Sequence, residues 1–183
     1  MALFVYVDNS NVQIEGQRVS AVKTGKAPDI NTAMSSGILD KNWGVDFGRL
    51  YNLVCPKGTK PGRAVLLGSR PPPNDEVWER AELEGWKPIV HDRNVRNKEK
   101  KVDVQLAVEM TKDCFTLLRR GKDEVVLVAG DGDFVPVVEV VQQAGYQVRC
   151  YFWEQANVEL RSTVDSFTPL DPHLDELRGA AFL

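Results

Sequence analysis

The sequence has little cysteine and little histidine, which excludes several ways of building a site. Its 183 residues include three cysteines and two histidines. Cys55, Cys114 and Cys150 lie far apart, without the spacing of a disulfide framework or a thiolate metal site. We therefore interpret all three as small buried hydrophobes in a protein from a reducing compartment. No convincing Ser–His or Cys–His arrangement for nucleophilic catalysis is present either.

Long hydrophobic runs and an excess of positive charge are also lacking. No apolar stretch approaches the roughly 18–20 residues that span a membrane. The N-terminal run reaches Asp8 too early for a secretion signal, so we expect a cytoplasmic protein with no membrane partner. The net charge is −3, with a pI near 5.5. This argues against a generic basic nucleic-acid binder but leaves room for a local basic patch.

Short apolar runs alternate with helical patterns along the chain. Strands are predicted over residues 2–7, 62–69, 86–92, 124–130 and 146–153. Helices are predicted over residues 45–54, 74–85, 102–121 and 134–145. Continuous apolar runs are typical of strands buried on both faces. The alternation predicts an α/β fold: a three-layer α/β/α sandwich, Rossmann-like, around a mostly parallel sheet of about five strands.

Two segments depart from this alternation. Residues 16–44 are polar, rich in Gly and Ser, and without clear periodicity, so they are predicted to be an irregular insertion. The chain is expected to form one domain over residues 1–170. Residues 171–183 are expected to be a C-terminal tail or a short helix.

Aspartates follow the predicted strands, at the positions where such sheets carry their functional side chains. Asp8 ends the first run, Asp131 and Asp133 follow the run 124–130, and Asp103 begins the long helix. In a doubly wound sheet the working groups lie beyond the carboxyl ends of the strands. If the first and the 124–130 strands are neighbours, these carboxylates share one rim. Such hard oxygen ligands suit Mg²⁺ or Mn²⁺, so we predict a metal site.

A basic run lies directly before Asp103. Residues 93–101, "RNVRNKEKK", carry five cations and one acid: Arg93, Arg96, Lys98, Lys100 and Lys101, with Glu99. Beside an acidic metal rim, such a run is suited to hold the phosphates that flank a scissile bond. The charge pattern therefore favours a substrate with several phosphates in a row over a small anionic metabolite.

Three motifs in this order resemble the NYN domain family, a branch of the PIN-like metal-dependent ribonucleases. They are "VYVDNSN", "KKVDVQLAVEM" and "VLVAGDGDFVPVVEVVQQAGYQV", which together span roughly residues 3–153. The resemblance implies a PIN-like fold, Mg²⁺ or Mn²⁺ dependence and hydrolysis of single-stranded or structured RNA. It is also compatible with a homodimer or a protein partner. By position it assigns the catalytic and metal-binding roles to Asp8, Asp103, Asp131 and Asp133, and supporting roles to Ser10, Asn11 and Glu109.

One departure from the family pattern lies between the paired aspartates. The family commonly has Ser there, whereas this chain has Gly132, so a hydroxyl is missing. Within the pair we assign Asp131 to the metal, and Asp133 partly to capping the helix that begins near Phe134.

The leading hypothesis is a metal-dependent endoribonuclease, and other classes stay open. One alternative is a non-catalytic PIN-like adaptor that binds RNA or protein. Another is a phosphatase of the haloacid-dehalogenase type, which "GDGDF" resembles. That family needs a second Asp two residues after its nucleophile, where this chain has Ser10. A third is a metal-dependent binding module of the von Willebrand A type, whose Asp-x-Ser-x-Ser motif is matched here by Asp8 and Ser10 but not at its final Ser.

Overall fold

The fold was analysed in a computed structural model of the chain. The structure describes residues 1–56, 58–59, 61–70, 76–92 and 100–179. Within these ranges, no helix combines the length and the apolar character needed to cross a membrane.

Strands and helices alternate through the described residues. The strands are β1 (Leu3–Asp8), β2 (Gly44–Val45), β3 (Arg63–Arg70), β4 (Lys87–Asp92), β5 (Glu124–Val128), β6 (Val148–Phe152), β7 (Ser166–Pro169) and β8 (Arg178–Gly179). The helices are α1 (Asn9–Lys23), α2 (Ile30–Ser35), α3 (Phe47–Val54), α4 (Glu76–Leu83), α5 (Lys100–Thr116), α6 (Val135–Gln143) and α7 (Val158–Thr163). Short 3-10 turns occupy Gly132–Phe134 and Asp171–His173.

The main sheet of the described residues has six strands in the order β4-β3-β1-β5-β6-β7, and every neighbouring pair is parallel. The prediction of a mostly parallel sheet in an α/β fold is confirmed, with one strand more than expected. From β1 the chain runs outward to β3 and β4, and from β5 it runs outward the other way. The order of the strands thus reverses between β1 and β5, which is where doubly wound folds place their sites.

Helices cover both faces of this sheet. Right-handed crossovers place α1, α3 and α4 on one face and α5, α6 and α7 on the other. The contacts of α5 with α6, and of α6 with α7, agree with this arrangement. All six residues of β1 are buried, as expected for a central strand covered on both sides.

The prediction of an irregular insertion over residues 16–44 is wrong. Helix α1 continues from Asn9 to Lys23, and α2 follows at Ile30–Ser35. The buried side of α1 includes Val12, Gly16 and Ser20, so two of its inward residues are too small or too polar to produce an apolar stripe. Small residues are needed there because a Cβ at Gly16 would lie 2.3 Å from the Trp43 ring.

Trp43 lies in the core and not on the surface. It is fully buried, makes an edge-to-face contact with Trp153, and donates its indole N–H to the Leu174 carbonyl at 3.1 Å. The aromatic pair therefore packs the segment before β2 against α1 and the C-terminal part of the chain.

The described part of the predicted C-terminal tail is folded onto the domain. Residues Asp171–His173 form a 3-10 turn, and β8 pairs antiparallel with β2. Leu174 and Leu177 are buried in the core. Residues 180–183 lie outside the described ranges.

Gly16 and Gly48 provide a matched test of this packing, because both are buried helical glycines. At Gly16 a new methyl group meets the rigid rings of Trp43 and Trp153, whereas at Gly48 it meets the flexible end of the Glu84 side chain. We expect Gly16→Ala to lower the free energy of unfolding by about 1–3 kcal/mol through overpacking. Gly48→Ala should be neutral, or up to about 1 kcal/mol more stable, through helix propensity. Urea unfolding followed by circular dichroism measures both, and equal stability of the two variants would contradict the packing.

Candidate functional site

The carboxyl end of β1 lies at the centre of the sheet edge where the strand order reverses. β1 pairs with β3 on one side and with β5 on the other, so the loops after all three strands meet at this edge. The sequence-based expectation that the strand preceding Asp131 lies beside the strand that ends in Asp8 is therefore confirmed. Side chains that follow either strand are brought to one rim.

Asp8 is held at the end of β1 by the first turn of α1. Its side chain is 4% exposed. Its Oδ1 accepts a hydrogen bond from the Asn11 backbone N–H at 3.1 Å, and the Ser10 N–H also contributes. Asp8 is thus the N-cap of α1, which fixes the carboxyl group without occupying both of its oxygens.

Asp103 meets Asp8 across the edge of the sheet. It is half-buried in the first turn of α5, and the two carboxyl groups share a hydrogen bond. Burial, the charge of Asp103 and the shared hydrogen bond together raise the pKa of Asp8 to about 7, although the backbone N–H groups of Asn11 and Ser10 oppose the rise. The pair therefore holds a proton close to neutral pH, in the way expected of two adjacent carboxyl groups.

Asp131 and Asp133 lie on the exposed part of the same rim, after β5. Oδ1 of Asp131 accepts a hydrogen bond from the Asp133 backbone N–H at 3.0 Å and so caps the 3-10 turn Gly132–Phe134. The prediction that Asp133 caps the next helix is wrong, because no side chain caps α6 and Asp131 makes the capping bond one turn earlier. The reason is the 3-10 turn, which shifts the start of α6 to Val135.

Asn11 joins the two parts of the rim. Its Oδ1 accepts a hydrogen bond from the Gly130 N–H at 2.9 Å, while its own backbone N–H donates to Asp8. This amide therefore fixes the distance between the end of β1 and the loop after β5. Asn11 thus holds Asp8 and the Asp131 loop together, and its supporting role in the site stays a prediction.

Glu109 does not lie at this rim, contrary to its predicted supporting role. Its Oε2 is 2.5 Å from Nη2 of Arg63, and its Oε1 accepts a hydrogen bond from the Gln105 amide at 3.0 Å. Arg63 begins β3 opposite Phe4, whereas Asp8 stands opposite Leu67. Glu109 thus belongs to the other end of the sheet. Although burial opposes it, the Arg63 hydrogen bond and charge keep the pKa of Glu109 below its usual range.

A large cavity also lies at that opposite edge and not at the acidic rim. It has a volume of about 620 Å³, and Arg63, Lys87, Lys112 and Asp113 are among its lining residues. Arg63 and the Tyr6 hydroxyl both bond to Oδ2 of the Asp113 carboxylate at its base, and Arg63 also pairs with Glu109. The size of the cavity and the chemistry of the rim point to different places. The rim is the candidate functional site, because two acids that share a proton at the switch point of a sheet are typical of functional sites.

The Asp8–Asp103 pair fits the requirements of a hard divalent cation. Mg²⁺ is commonly held by one or two carboxylates and keeps several waters. Within the described ranges, no group of three or more His, Cys, Asp or Glu side chains is close enough to hold a metal ion. All four predicted aspartates lie in these ranges, and the structure brings together only Asp8 and Asp103 among them. The four-aspartate ligand set stays a prediction.

Part of the predicted basic surface cannot be placed. Arg93, Arg96 and Lys98 lie outside the described residues. The backbones of Lys100 and Lys101 begin α5, directly before Asp103, and their side chains lie outside the described part of the chain. The phosphate-binding role of all five cations stays a prediction.

The loop after β6 reaches the rim too, which sequence reasoning missed. The Asn157 backbone N–H donates to the Gly130 carbonyl at 2.8 Å. The signal in the sequence was weak, because an Asn before a short polar segment is also an ordinary helix cap.

A doubly wound parallel sheet with an aspartate pair at its switch point is the arrangement of the PIN-like nuclease folds. The profile of the NYN domain matches residues 3–171, nearly the whole chain, and the chain belongs to this family. The resemblance read from the three motifs is thereby confirmed. NYN domains are generally nucleases, and PIN-like nucleases typically use divalent metals.

A solved structure supports the fold. The crystal structure of a protein of unknown function from Vibrio parahaemolyticus RIMD 2210633 matches with a TM-score of 0.65 over 92% of each chain, at 17% identity. A likeness at this identity shows the fold alone. Among curated proteins, none matches this chain.

Asp8→Asn should stabilise the protein in the absence of metal. An acid whose pKa is raised by folding holds its proton more tightly in the folded state, so its contribution is lost as pH rises from about 4 to about 7. The Asn amide keeps an oxygen for the Asn11 N–H and supplies a donor for Asp103. In EDTA at pH 8 we expect a gain on the order of 1–3 kcal/mol, which disappears near pH 4.

The measurement is urea unfolding at both pH values, with the exposed Asp133→Asn as a control for loss of one charge. The control should change stability by less than about 0.5 kcal/mol. Equal stability of wild type and Asp8→Asn at pH 8 would contradict the proton-sharing pair.

Proposed function

We propose that this protein is a metal-dependent endoribonuclease that hydrolyses RNA phosphodiester bonds. The observation that carries the proposal is the contact of the Asp8 and Asp103 carboxyl groups at the switch point of an NYN-family sheet. Buried acids are normally compensated by cations, as Glu109 is by Arg63. Two acids placed against each other where such folds bind ligands instead suggest that the compensating charge comes from outside the chain.

Each residue of the rim has a definite task in this proposal. Asp8 is the most rigid ligand, because burial and the Asn11 N–H fix its orientation. Asp103 approaches from α5 and bears the second charge. Asp131 stands at the exposed side, with one oxygen engaged in its capping bond. Mg²⁺ or Mn²⁺ at the pair would lower the pKa of a bound water and neutralise charge on a phosphoryl oxygen.

Water is the proposed nucleophile, which agrees with the absence of an activated side-chain nucleophile in the described site. All three cysteines are buried, and burial raises their thiol pKa values, to about 11 for Cys55 and Cys114 and to about 12 for Cys150. The carboxylates of the rim would orient that water in line with the leaving oxygen, while exposed Asp133 completes the acidic surface.

RNA is the substrate class that both the family and the charge pattern support. A nuclease family implies a nucleic-acid substrate, and the basic run 93–101 directly precedes Asp103 in the chain. Cations next to a metal site bind the phosphates on either side of the reacting one. A homodimer or a protein partner stays a separate prediction.

Loss of the rim carboxylates should abolish cleavage while leaving the fold intact. Asp8→Asn, Asp103→Asn and Asp131→Asn each keep an oxygen acceptor, and each should reduce cleavage of a single-stranded or a hairpin RNA by about a hundredfold or more. EDTA should have the same effect and Mn²⁺ should reverse it. Glu139→Gln removes an exposed acid from α6 and serves as the control.

Three outcomes separate the classes of function. Equal cleavage by wild type and the three variants would refute the proposal. RNA binding without cleavage at any metal concentration would favour the non-catalytic adaptor. Release of phosphate from a generic phosphomonoester, with RNA left intact, would favour the phosphatase.

Metal binding can be tested without any activity. A cation that binds the folded state alone raises stability, by about 2.7 kcal/mol at a hundred times its dissociation constant. We therefore expect Mn²⁺ to raise the melting temperature of wild type and of Glu139→Gln, and to raise that of Asp8→Asn far less. Melting curves in increasing Mn²⁺ measure this, and parallel increases in all three proteins would place the bound metal elsewhere.

A further inference from the structure

The cavity at the end of the sheet opposite the acidic rim, here called the Arg63 cleft, has the dimensions of a ligand site. Its walls come from the starts of β3 and β4, from Tyr51 of α3 and from the second half of α5. Its volume of about 620 Å³ is large enough for one nucleotide. The chemistry of its side chains therefore decides which ligand it fits.

Two lysines of the Arg63 cleft provide positive charge that is not paired within the chain. Lys87 begins β4, Lys112 lies in α5, and both are exposed. Arg63 bonds to both Glu109 and Asp113, whereas neither lysine forms an ion pair with any residue that the structure describes. The cleft thus has three cations against two acids, and its excess charge suits an anionic ligand.

Aromatic rings lie beside these lysines. Phe115 follows Lys112 by three residues, so the two are neighbours on the surface of α5, and the ring is 72% exposed. Tyr51 lines the cleft, half-buried, and makes an edge-to-face contact with Trp86 at a centroid distance of 5.2 Å. Lysines interleaved with accessible aromatic rings are typical of sites that bind single-stranded nucleic acid, because the rings stack on bases while the cations bind phosphates.

The wall of the cleft also contains an acceptor that lacks a donor. Asp113 is fully buried, and its Oδ2 is bonded by Arg63 and the Tyr6 hydroxyl. Its Oδ1 has no hydrogen-bond partner among the described residues. Buried acceptors are nearly always satisfied, so a donor group at the inner end of the cleft would complete this one. A nucleotide offers such donors in its ribose hydroxyls and base edge, whereas a fully ionised phosphate alone offers none.

The Arg63 cleft and the acidic rim lie on the same face of the sheet. Arg63 pairs with Phe4, and Leu67 pairs with Asp8, so four residues of β3, or about 13 Å, separate the two places. An even number of residues along a strand keeps side chains on one face. A few nucleotides of an extended single strand cover this distance.

The edge strand β4 offers a route between the two places. Helix α5 packs over β1 and β3. On β4, Ile89 pairs with Leu67 and therefore faces the same side as Asp8, and both Ile89 and His91 are only half-buried. A strand that lies along β4 from the rim ends at Lys87, which begins β4 and lines the cleft.

We propose that the Arg63 cleft is a second RNA-binding subsite, where Lys87 and Lys112 bind backbone phosphates and Phe115 and Tyr51 stack on bases a few nucleotides away from the cleaved bond. This inference rests on the proposed nuclease function and deepens it. A substrate long enough to reach the cleft gains affinity that a shorter one lacks. Single strands are favoured over duplexes, because only unpaired bases can stack on the rings.

Binding is measured by fluorescence anisotropy in an Asp8→Asn background, with a labelled single-stranded RNA of about ten nucleotides. We expect Lys87→Gln/Lys112→Gln to lower affinity about tenfold and to reduce the slope of log affinity against log salt by about 1.4, for two lost phosphate contacts. Phe115→Leu keeps an apolar side chain but removes the ring, and it should lower affinity about tenfold with an unchanged salt slope. The control Lys41→Gln/Lys122→Gln removes the same charge from two exposed positions and should stay within twofold of the parent.

Cleavage kinetics with Asp8 intact give a second measurement. Lys87→Gln/Lys112→Gln should raise KM for the longer RNA about tenfold while kcat changes little, since the contact is remote from the reacting phosphate. For a trinucleotide, which cannot reach the cleft from the rim, kcat/KM should be equal in this variant and in the lysine control. The dependence on length separates a subsite from a general loss of positive charge.

The outcomes distinguish this inference from the proposed function. If the Lys87→Gln/Lys112→Gln and Phe115→Leu variants match the control in affinity and KM while Asp8→Asn abolishes cleavage, the subsite is overturned and the nuclease stands. If wild type neither binds nor cleaves RNA, both are overturned.

Two further results would assign the cleft to another ligand. If the lysine variant loses binding of adenosine monophosphate but keeps its affinity for the longer RNA, the cleft binds a free nucleotide and the inference is overturned. If Phe115→Leu converts a dimer into a monomer in sedimentation and leaves RNA affinity unchanged, a second copy covers this face of α5, and the inference is overturned as well.

Discussion

The buried carboxyl group of Asp8 is the constraint on which the rest of the site depends. It ends the central strand, where it is 4% exposed, and a charge at such depth is costly without compensation. The Asn11 N–H and the proton shared with Asp103 compensate it in the metal-free chain. Both contacts need the doubly wound order: α1 must start directly at the end of β1, and the crossover from β4 to β5 must bring the first turn of α5 over that strand end. The acid pair is therefore a direct consequence of the strand order.

Helix α5 shows why the two ends of the sheet differ chemically. Asp103 in its first turn meets another acid, whereas Glu109 and Asp113 further along meet Arg63. At the Arg63 end a cation of the chain bonds to both acids, and these contacts serve stability. At the Asp8 end the metal-free protein holds a proton near neutral pH, which a cation would displace. Such a site is less stable than its surroundings until it binds a cation. Functional sites commonly reduce local stability in this way.

Much of the fold could be predicted, and each failure has a physical reason. β1 and β3–β6 were recognised because strands buried on both faces are continuously apolar. Helix α1 was missed because Gly16, which makes room for Trp43 and Trp153, and Ser20, which donates to Asp40, interrupt its apolar stripe. β7 was missed because its four residues, Ser166–Pro169, are short and only partly buried. The capping bond was assigned to Asp133 instead of Asp131 because a 3-10 turn cannot be distinguished from the first turn of α6 by residue type.

The amino-acid sequence by itself determined the fold class, the family and the aspartates that end the strands, because these depend on local patterns of apolar and acidic residues. Only the tertiary structure decided which acids meet. Asp103 faces Asp8 while Glu109, six residues later, faces Arg63, since six residues along a helix change both the height and the direction of a side chain. The structure alone also brought Asn157 onto Gly132 and Asn11 onto Gly130. Contacts between loops so distant in the chain follow from the order of the strands in the sheet, which no local pattern encodes.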